Sequence, residues 1–308
     1  MQRPGTPSRL ISIGMPVYNG GEKLRRALDC LLAQTEPNFE LIISDNASTD
    51  GLTRQITEEY ARQDGRIRLT RQPENLGPAA NFMWVLNQAR GDYFLWAAHD
   101  DTWSGNYLEE LAHQLDAHPS AVLATPTTCA VRQTGDSVSR EFVPAAPNGD
   151  RWETLKTLLG KNICVWIYGM YRTGWLKQYG PELVSYPLHG CDRLWLYGLV
   201  LQAPVVGSTA ATFTYTDAPR KRENRSTRAR IEFLGIQIYH MVRLTWTHLP
   251  PSERGKGLRW VTWYLYRHQI DRRNPLGTLV RLAKLMTLGA WYATEASIRK
   301  LLARPSVS

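Results

Sequence analysis

Three stretches near the start of the chain decide its fold: ISIGMPVYN (11–19), FELIISDNASTDG (39–51) and GDYFLWAAHDD (91–101). Each begins with an apolar run of the length of a buried strand and ends in polar residues. Helical patterns separate these runs, and strands alternating with helices favour a mostly parallel α/β sheet. Open sheets of this kind bind ligands beyond the carboxyl ends of their strands, so the polar ends predict a binding site.

The same alternation extends to about residue 127. Leu24, Leu28 and Leu31 fall on one face of a helix predicted over 22–34. The other predicted elements of this part are strands over 67–70, 93–97 and 121–125 and helices from about 50 to 63, over 78–89 and over 107–117. This regular alternation predicts one sheet flanked by helices.

The pattern changes after residue 127. Residues 135–152 are rich in loop formers with a hairpin arm, and a strand is expected over 204–215. Helices are predicted near 151–160, 191–201, 227–247, 258–273 and 277–302. We therefore expect a catalytic domain over residues 1–220 and a helical C-terminal region over 221–308.

Composition limits the class of protein. A chain of 308 residues with 43% hydrophobic and 21% charged residues can bury a large core and is not disordered. Its four cysteines form no CxxC pair, which predicts reduced thiols in a cytoplasmic protein. No run of eighteen apolar residues and no signal peptide are present, so we expect no membrane span.

The net charge of +9 calls for an anionic partner or a solvated basic face. Much of it lies in RKRENRSTRAR (220–230) and in the C-terminal helices. No helix-turn-helix, RNP or zinc-finger pattern is present, so nucleic acid is not expected. A diphosphate-bearing ligand accounts for the cluster more simply.

Two adjacent carboxylates, Asp100 and Asp101, follow the strand predicted over 93–97. They would repel each other unless a cation lies beside them. Mg²⁺ and Mn²⁺ take oxygen ligands and bridge one or two carboxylates to substrate phosphates. The alternative, a solvated turn at the end of a strand, remains open on these residues alone.

Taken in order, PVYNG (16–20), SDNASTDG (44–51), ENLG (74–77), HDD (99–101) and GCDRLW (190–195) resemble the motifs of glycosyltransferase family 2. The resemblance covers about residues 10 to 215. It implies a GT-A, Rossmann-like fold and an inverting transferase that uses a nucleotide-sugar donor and Mg²⁺ or Mn²⁺ as cofactor.

The resemblance also implies residue roles in the donor site. The carboxylate of Asp45 would accept the imide N–H of uracil or thymine, and Asp101 would be the direct metal ligand. The other expected nucleotide-binding residues are Pro16, Val17, Tyr18, Asn75 and Asp100. Asp50 is expected either to shape the pocket loop or to cap the helix that follows it.

The catalytic base implied by the resemblance is Asp192, which would take the proton of the acceptor hydroxyl. The neighbouring Arg193 and Trp195 are expected at the acceptor, although a Trp at that spacing is more often a core residue. A basic loop would close over the diphosphate through Arg220, Lys221, Arg222 and Arg225. The family usually has acidic residues where this chain has Ala98 and Cys191.

Residues 275–304 pair apolar side chains with basic ones. Such a segment either packs on the catalytic domain or a second copy, or lies peripherally on an anionic membrane surface. Both interpretations stay open.

The sequence thus predicts a transferase that moves one sugar from a UDP- or dTDP-linked donor to a hydroxyl of a saccharide, lipid-linked or small-molecule acceptor. Polysaccharide or glycoconjugate biosynthesis is the expected setting. Two alternatives are a sugar-1-phosphate nucleotidyltransferase and a catalytically silent sugar-nucleotide-binding protein. The first would need a glycine-rich, lysine-bearing loop after the first strand, and GMPVYNGGEKL (14–24) only loosely provides one.

Overall fold

The computed structural model describes residues 9–132, 138–161, 163–182, 191–217 and 227–269. Its strands are β1 (Ile11–Val17), β2 (Phe39–Asp45), β3 (Ile67–Arg71), β4 (Tyr93–Trp96), β5 (Thr102–Trp103), β6 (Leu123–Arg132), β7 (Val138–Phe142), β8 (Met170–Arg172) and β9 (Val205–Asp217). Its helices are α1 (Lys23–Leu32), α2 (Leu52–Gln63), α3 (Pro78–Gln88), α4 (Tyr107–Ala117), α5 (Arg151–Lys161), α6 (Thr173–Tyr179), α7 (Cys191–Gln202), α8 (Thr227–His248) and α9 (Pro251–Gln269), with a 3₁₀ turn at Val165–Tyr168.

The strands form one sheet in the order β3-β2-β1-β4-β8-β6-β9-β5, with β7 attached to β6. The pairs β1–β2, β2–β3, β1–β4 and β6–β9 are parallel. The strands β8, β5 and β7 run antiparallel to their neighbours. The predicted mostly parallel sheet flanked by helices is confirmed.

The centre of the sheet is buried on both faces. All seven residues of β1 and all seven of β2 are buried, as near-continuous apolar runs require in a parallel sheet covered by helices. The predicted leucine face of α1 is buried as well, through Leu24, Leu28 and Leu31. The polar side chains therefore remain at the strand ends, where the sequence places them.

Three elements differ from the predicted boundaries. Strand β6 continues to Arg132, because its second half pairs with β7 and with the long strand β9. The short strand β8 inserts between β4 and β6, and its three residues are too few for a periodic signal. Helix α9 begins at Pro251 rather than near 258, because proline suits the first turn of a helix.

The described residues fall into two compact units. The first holds 9–132, 138–154, 165–182 and 203–217, and so contains the sheet. The second holds 155–161, 163–164, 191–202 and 227–269, and is helical. It thus takes in residues before 220 as well as after it, and the domain boundary at 220 stays a prediction. Among the described helices, none combines the length and the apolar character that a membrane crossing needs.

A buried carboxylate holds the starting edge of the central strands. Glu40 on β2 accepts hydrogen bonds from Ser12 Oγ at 2.6 Å, Arg68 Nη1 at 2.6 Å and the backbone N of Arg90 at 2.8 Å. Burial alone would raise the pKa of Glu40, but the bonds from Ser12, Arg68 and Arg90 outweigh it and lower the pKa. This carboxylate ties β1, β2, β3 and the start of β4 together.

Replacing Glu40 with Gln should therefore lower the free energy of unfolding by about 1–2 kcal/mol at pH 7, since the charged acceptor is lost. A lowered folded-state pKa contributes stability above the unfolded pKa, and this contribution is lost as the pH falls through the folded value. The difference between Glu40→Gln and wild type in urea unfolding should thus stay constant from pH 7 down to the ordinary carboxyl value of 4.5 and shrink only below it.

The exposed ion pair of Glu58 with Arg54, at 2.7 Å, provides the matched control. Glu58→Gln should leave the urea midpoint unchanged. An equal loss in both variants would show that the Glu40 network contributes no more than a surface pair.

Candidate active site

Asp45, the last residue of β2, lies fully buried at the carboxyl edge of the sheet, with a side chain 1% exposed. Parallel pairing sets it opposite Val17 of β1 and Arg71 of β3. Its Oδ1 accepts the backbone N–H of Ser48 at 2.9 Å, and its Oδ2 pairs with the Arg71 guanidinium. A carboxylate has about four acceptor positions, so Asp45 can still accept a ligand donor.

Arg71 was missed by the sequence analysis. Besides Asp45 it binds the carbonyl oxygen of Ser48 through Nη2 at 2.9 Å, and its side chain is 40% exposed. A basic residue at the end of a short strand carries no functional signal by itself. Only the register of β3 against β2 brings Arg71 to Asp45.

The loops after β1 and β2 are joined by hydrogen bonds. Asn19 adopts a positive φ of 51°, and its backbone N donates to Ser48 Oγ at 2.9 Å. In return, Asn19 Oδ1 accepts the backbone N–H of Thr49 at 2.8 Å. The expected pocket residues Pro16 and Val17 are buried beneath this junction, while Tyr18 is exposed. The junction is therefore a fixed rim with one exposed aromatic ring.

Asp50 caps the helix that follows, as one of the two expectations had it. Its Oδ1 accepts the backbone N–H of Thr53 at 3.2 Å and its Oδ2 accepts the Thr53 hydroxyl at 2.7 Å. Thr53 Oγ1 in turn accepts the backbone N–H of Gly20 at 2.8 Å. Burial alone would raise the pKa of Asp50, but hydrogen bonds from Thr53 and Gly21 lower it. Asp50 thus braces the loop after β1.

Asn75 joins a turn to the end of β2. Its Oδ1 accepts the side-chain N–H of Asn46 at 2.8 Å and the backbone N–H of Gly77 at 2.8 Å. The Asn46 side chain also accepts the backbone N–H of Leu76 at 2.8 Å. These contacts hold the ENLG turn beside the loop that follows Asp45.

Asp101 is a buried carboxylate without a hydrogen-bond donor in the described part of the chain, and it is 6% exposed. Burial, and to a smaller extent the charge of Asp100, raise the pKa of Asp101 to about 8. Asp100 is more exposed and lies 3.6 Å from the ammonium of Lys23, while Arg26 donates to the Asp100 carbonyl oxygen at 3.1 Å. The charges of Arg26 and Lys23 offset the rise in the pKa of Asp101 only in part, and no described basic group forms an ion pair with its carboxylate.

His99 lies against the glycine loop after β1. A Cβ on Gly20 would come within 3.2 Å of His99 Cδ2 and within 3.1 Å of Val17 Cγ1, so a larger residue would displace these neighbours by a few tenths of an ångström. Burial lowers the pKa of His99, which keeps its ring neutral at pH 7. This packing brings the HDD segment next to the PVYNG segment.

The chemistry of this carboxylate pair fits a divalent cation. An unpaired buried carboxylate beside a second one is costly unless a positive charge lies there. The described residues contain no cluster of three or more His, Cys, Asp or Glu side chains at metal-binding distance. Mg²⁺ and Mn²⁺ need only one or two carboxylates when phosphates and water complete the shell. Asp101 and Asp100 are the residues that would hold such an ion.

Strand β5, directly after Asp101, is held by a thiol that the sequence analysis gave no role. Cys30 of α1 donates through Sγ to the Trp103 carbonyl oxygen at 2.9 Å and accepts the Trp103 backbone N–H at 3.2 Å. A lone cysteine in a helix carries no signal for such a contact. Cys30, Cys129 and Cys164 are free thiols.

The second unit contains the predicted base. Asp192 lies in the first turn of α7, half-buried rather than facing solvent as expected, and its Oδ1 accepts the Arg193 backbone N–H at 2.8 Å. Burial raises the pKa of Asp192 despite its contacts with Arg193 and Cys164. A raised pKa makes a carboxylate a stronger proton acceptor.

The two predicted acceptor residues have structural contacts within this unit. Arg193 donates to Tyr264 Oη at 2.8 Å and to Cys164 Sγ at 3.5 Å, which leaves its Nε buried without a partner among the described residues. Trp195 is 3% exposed, as a core residue is. The predicted lid residues Arg220, Lys221, Arg222 and Arg225 lie outside the described residues, as does the segment 275–304.

Comparison with known proteins gives concordant results. Residues 12–180, more than half of the chain, match the model of glycosyl transferase family 2. The putative teichuronic acid biosynthesis glycosyltransferase TuaG of Bacillus subtilis is 36% identical over 101 residues, which cover 33% of this chain and 40% of TuaG. The chain thus spans less than half the length of the curated relatives it matches.

Solved structures share the fold. TarS 1-349 of S. aureus, in complex with UDP-GlcNAc, has a TM-score of 0.66 at 18% identity over 90% of this chain and 80% of that one. The mannosyltransferase PcManGT of Pyrobaculum calidifontis, in complex with GDP-Man and Mn²⁺, has a TM-score of 0.59 at 17% identity over 95% and 78% of the two chains. The chain therefore belongs to glycosyl transferase family 2 and has the GT-A fold.

Proposed function

We propose that this glycosyltransferase moves one sugar from a UDP- or dTDP-linked donor to a hydroxyl acceptor, with inversion and with Mg²⁺ or Mn²⁺. The observation that carries the proposal is the buried carboxylate of Asp101, with which no described basic group forms an ion pair. It lies at the carboxyl edge of the sheet, in the same unit as the buried Asp45. The Mn²⁺ bound by PcManGT and the UDP-GlcNAc bound by TarS support it by analogy of fold.

In this proposal Asp45 reads the base. Its carboxylate can accept the imide N–H of uracil or thymine, a donor that cytosine lacks. Asp45 is fully buried, whereas the side chain of its partner Arg71 is partly exposed. A base that hydrogen-bonds to Asp45 would therefore also contact Arg71. Pro16, Val17 and Tyr18 form the rim of the pocket, and Asn75 holds the turn beside it.

Asp101, with Asp100, would hold the divalent ion, whose chemistry is to neutralise the charge of the departing nucleoside diphosphate. Burial and the neighbouring Asp100 raise the pKa of Asp101, and a bound cation would hold its carboxylate in the charged form. The loss of an acidic residue at Ala98 leaves this pair in place. The lid residues Arg220, Lys221, Arg222 and Arg225 would supply further positive charge to the diphosphate.

Asp192 is the proposed base. Inverting transfer needs one carboxylate that removes the proton of the acceptor hydroxyl and needs no covalent nucleophile. Burial strengthens Asp192 as a proton acceptor, and its position in the first turn of α7 fixes its side chain. Arg193 is proposed to lie near the acceptor, which we take to be a saccharide, a lipid-linked saccharide or a small hydroxyl compound, whereas the predicted acceptor residue Trp195 is buried in the core.

The setting we propose is the biosynthesis of a polysaccharide or glycoconjugate, on the cytoplasmic side. The description of TuaG as a teichuronic acid biosynthesis glycosyltransferase supports this setting. Family membership favours glycosyl transfer over the nucleotidyltransferase and silent-binding alternatives.

A nucleotide binding scan by calorimetry tests the donor site. UDP or dTDP should bind with Mn²⁺ at least tenfold more tightly than GDP or CDP, because only uracil and thymine present an imide N–H to Asp45 without a bulky purine. Asp101→Asn should abolish the metal dependence. Preferential binding of GDP would contradict the role of Asp45, and the absence of any metal-dependent binding would contradict the role of Asp101.

The metal-free enzyme should be stabilised by Asp101→Asn. The folded-state pKa of about 8 lies above the ordinary value, so the charged form destabilises the fold increasingly as the pH rises from about 4 to 8. The variant should gain on the order of 1–3 kcal/mol at pH 8 and nothing at pH 4. Mn²⁺ should raise the melting temperature of wild type at pH 8 and leave the variant unchanged.

Asp92, exposed at the opposite end of β4, provides the control for this experiment. Asp92→Asn should show neither the stabilisation nor the loss of the Mn²⁺ response. A destabilised Asp101→Asn at pH 8 would mean that the carboxylate has a partner in the metal-free protein.

Asp192→Asn should reduce kcat by 10²–10⁴-fold while leaving the Kd of UDP within twofold, because the amide keeps the cap of Arg193 but accepts no proton. Steady-state kinetics with a cell-wall acceptor extract, together with calorimetry for UDP, separates the two effects. Turnover equal to wild type would remove Asp192 as the base, and a weakened Kd would place it at the donor.

A further inference from the structure

A row of basic and aromatic side chains runs along one face of α9. Its members are spaced by three or four residues, which puts them on one side of a helix: Lys256, Arg259, Trp260, Trp263 and Arg267. The three basic side chains are exposed and both indoles are partly exposed. Together with Lys156 of α5 we call them the α9 cationic face.

The opposite face of α9 is the one that packs. Val261, Tyr264 and Leu265 are buried, and a Cβ on Gly257 would lie 2.6 Å from Cγ2 of Thr245 in α8. The cationic face is therefore not the face that holds α9 against α8. The packing of α9 against α8 therefore does not explain why two tryptophans lie on this face.

The α9 cationic face borders a cavity of about 460 Å³. The rings of Trp260 and Trp263 meet edge to face at 5.2 Å, and Gly160 of α5 makes room for the second ring, since a Cβ there would lie 3.0 Å from it. Lys156, Lys256 and Arg259 also line the cavity, and no described carboxylate does. The cavity thus offers positive charge and aromatic surface.

We propose that the α9 cationic face docks the protein on a bilayer containing anionic phospholipids, with a lipid phosphate in the cavity. Indole rings favour the headgroup level of a membrane, where one side is apolar and the other wet. Basic side chains near an anionic leaflet each add attraction. The net charge of +9 favours the same surface.

A second copy of the chain fits this face less well. A two-fold symmetric contact would bring the same basic residues against one another. The charge of this face would also suit a nucleic acid. However, its side chains form a single short row beside a cavity and do not line a groove that a strand could follow. The proposal concerns binding alone and does not depend on which nucleotide the donor carries.

Flotation of the full chain with liposomes tests the proposal. The protein should float with vesicles of phosphatidylcholine and 30% phosphatidylglycerol and remain behind with pure phosphatidylcholine. The variant Lys256→Glu/Arg259→Glu should lose at least tenfold in partition coefficient, and Trp260→Ala/Trp263→Ala should lose at least threefold, with UDP binding unchanged in both. Binding should weaken as salt rises from 50 to 500 mM.

The matched control is Arg62→Glu/Arg140→Glu, which makes the same change in net charge at exposed positions of the first unit. It should keep vesicle binding within twofold of wild type. Equal losses in both charge variants, or equal binding to neutral vesicles, would overturn the proposal.

Two further outcomes point to other occupants and would also overturn it. One is tight calorimetric binding of inorganic phosphate that the Lys256→Glu/Arg259→Glu variant loses, without flotation of wild type. The other is a dimer by light scattering that the same variant converts to a monomer, again without flotation. Circular dichroism of each variant establishes that the fold is retained.

Discussion

The parallel register of β1 between β2 and β4 is the constraint on which the rest of the first unit depends. Val17 pairs with Asp45, and Gly14 pairs with Trp96, so the three strands end at the same edge of the sheet. Because β1 and β2 are buried along their whole length, polar side chains within them need partners, as Glu40 and Asp45 have, and the other polar residues follow the strand ends. The polar groups of the loops that follow must then form hydrogen bonds with one another. Asn19, Ser48 and Thr53 take part in such bonds.

Burial alone does not decide the role of a carboxylate, as two buried carboxylates at opposite ends of these strands show. Glu40, 7% exposed, receives three hydrogen bonds and its pKa is lowered. Asp101, 6% exposed, receives none within the described part of the chain, and its pKa rises to about 8. The first carboxylate is a structural tie. The second has no such tie, and a buried carboxyl with a strongly raised pKa is a common signature of a functional group.

The second unit shows the same separation of roles on its helices. On α9 one face is apolar and buried while the other combines exposed basic groups with indole rings. On α7 the apolar residues are buried, and Asp192 in the first turn keeps partial access to solvent. Indole surface left in contact with water and a carboxylate partly withdrawn from water each cost free energy, which a partner at the site would lower.

The sequence by itself determined the alternation of strands and helices, because apolar periodicity records which residues must be buried. It also located Asp45 at the end of β2, Asp50 before the helix that follows and the Asp100–Asp101 pair in the loop after β4, because polar residues follow each buried run. Tertiary structure alone decided the pairing of Arg71 with Asp45, the clamp of Cys30 on Trp103 and the insertion of β8 beside β4. These contacts join residues that are distant along the chain. Their formation depends on strand register and helix packing, which a local pattern of residues does not encode.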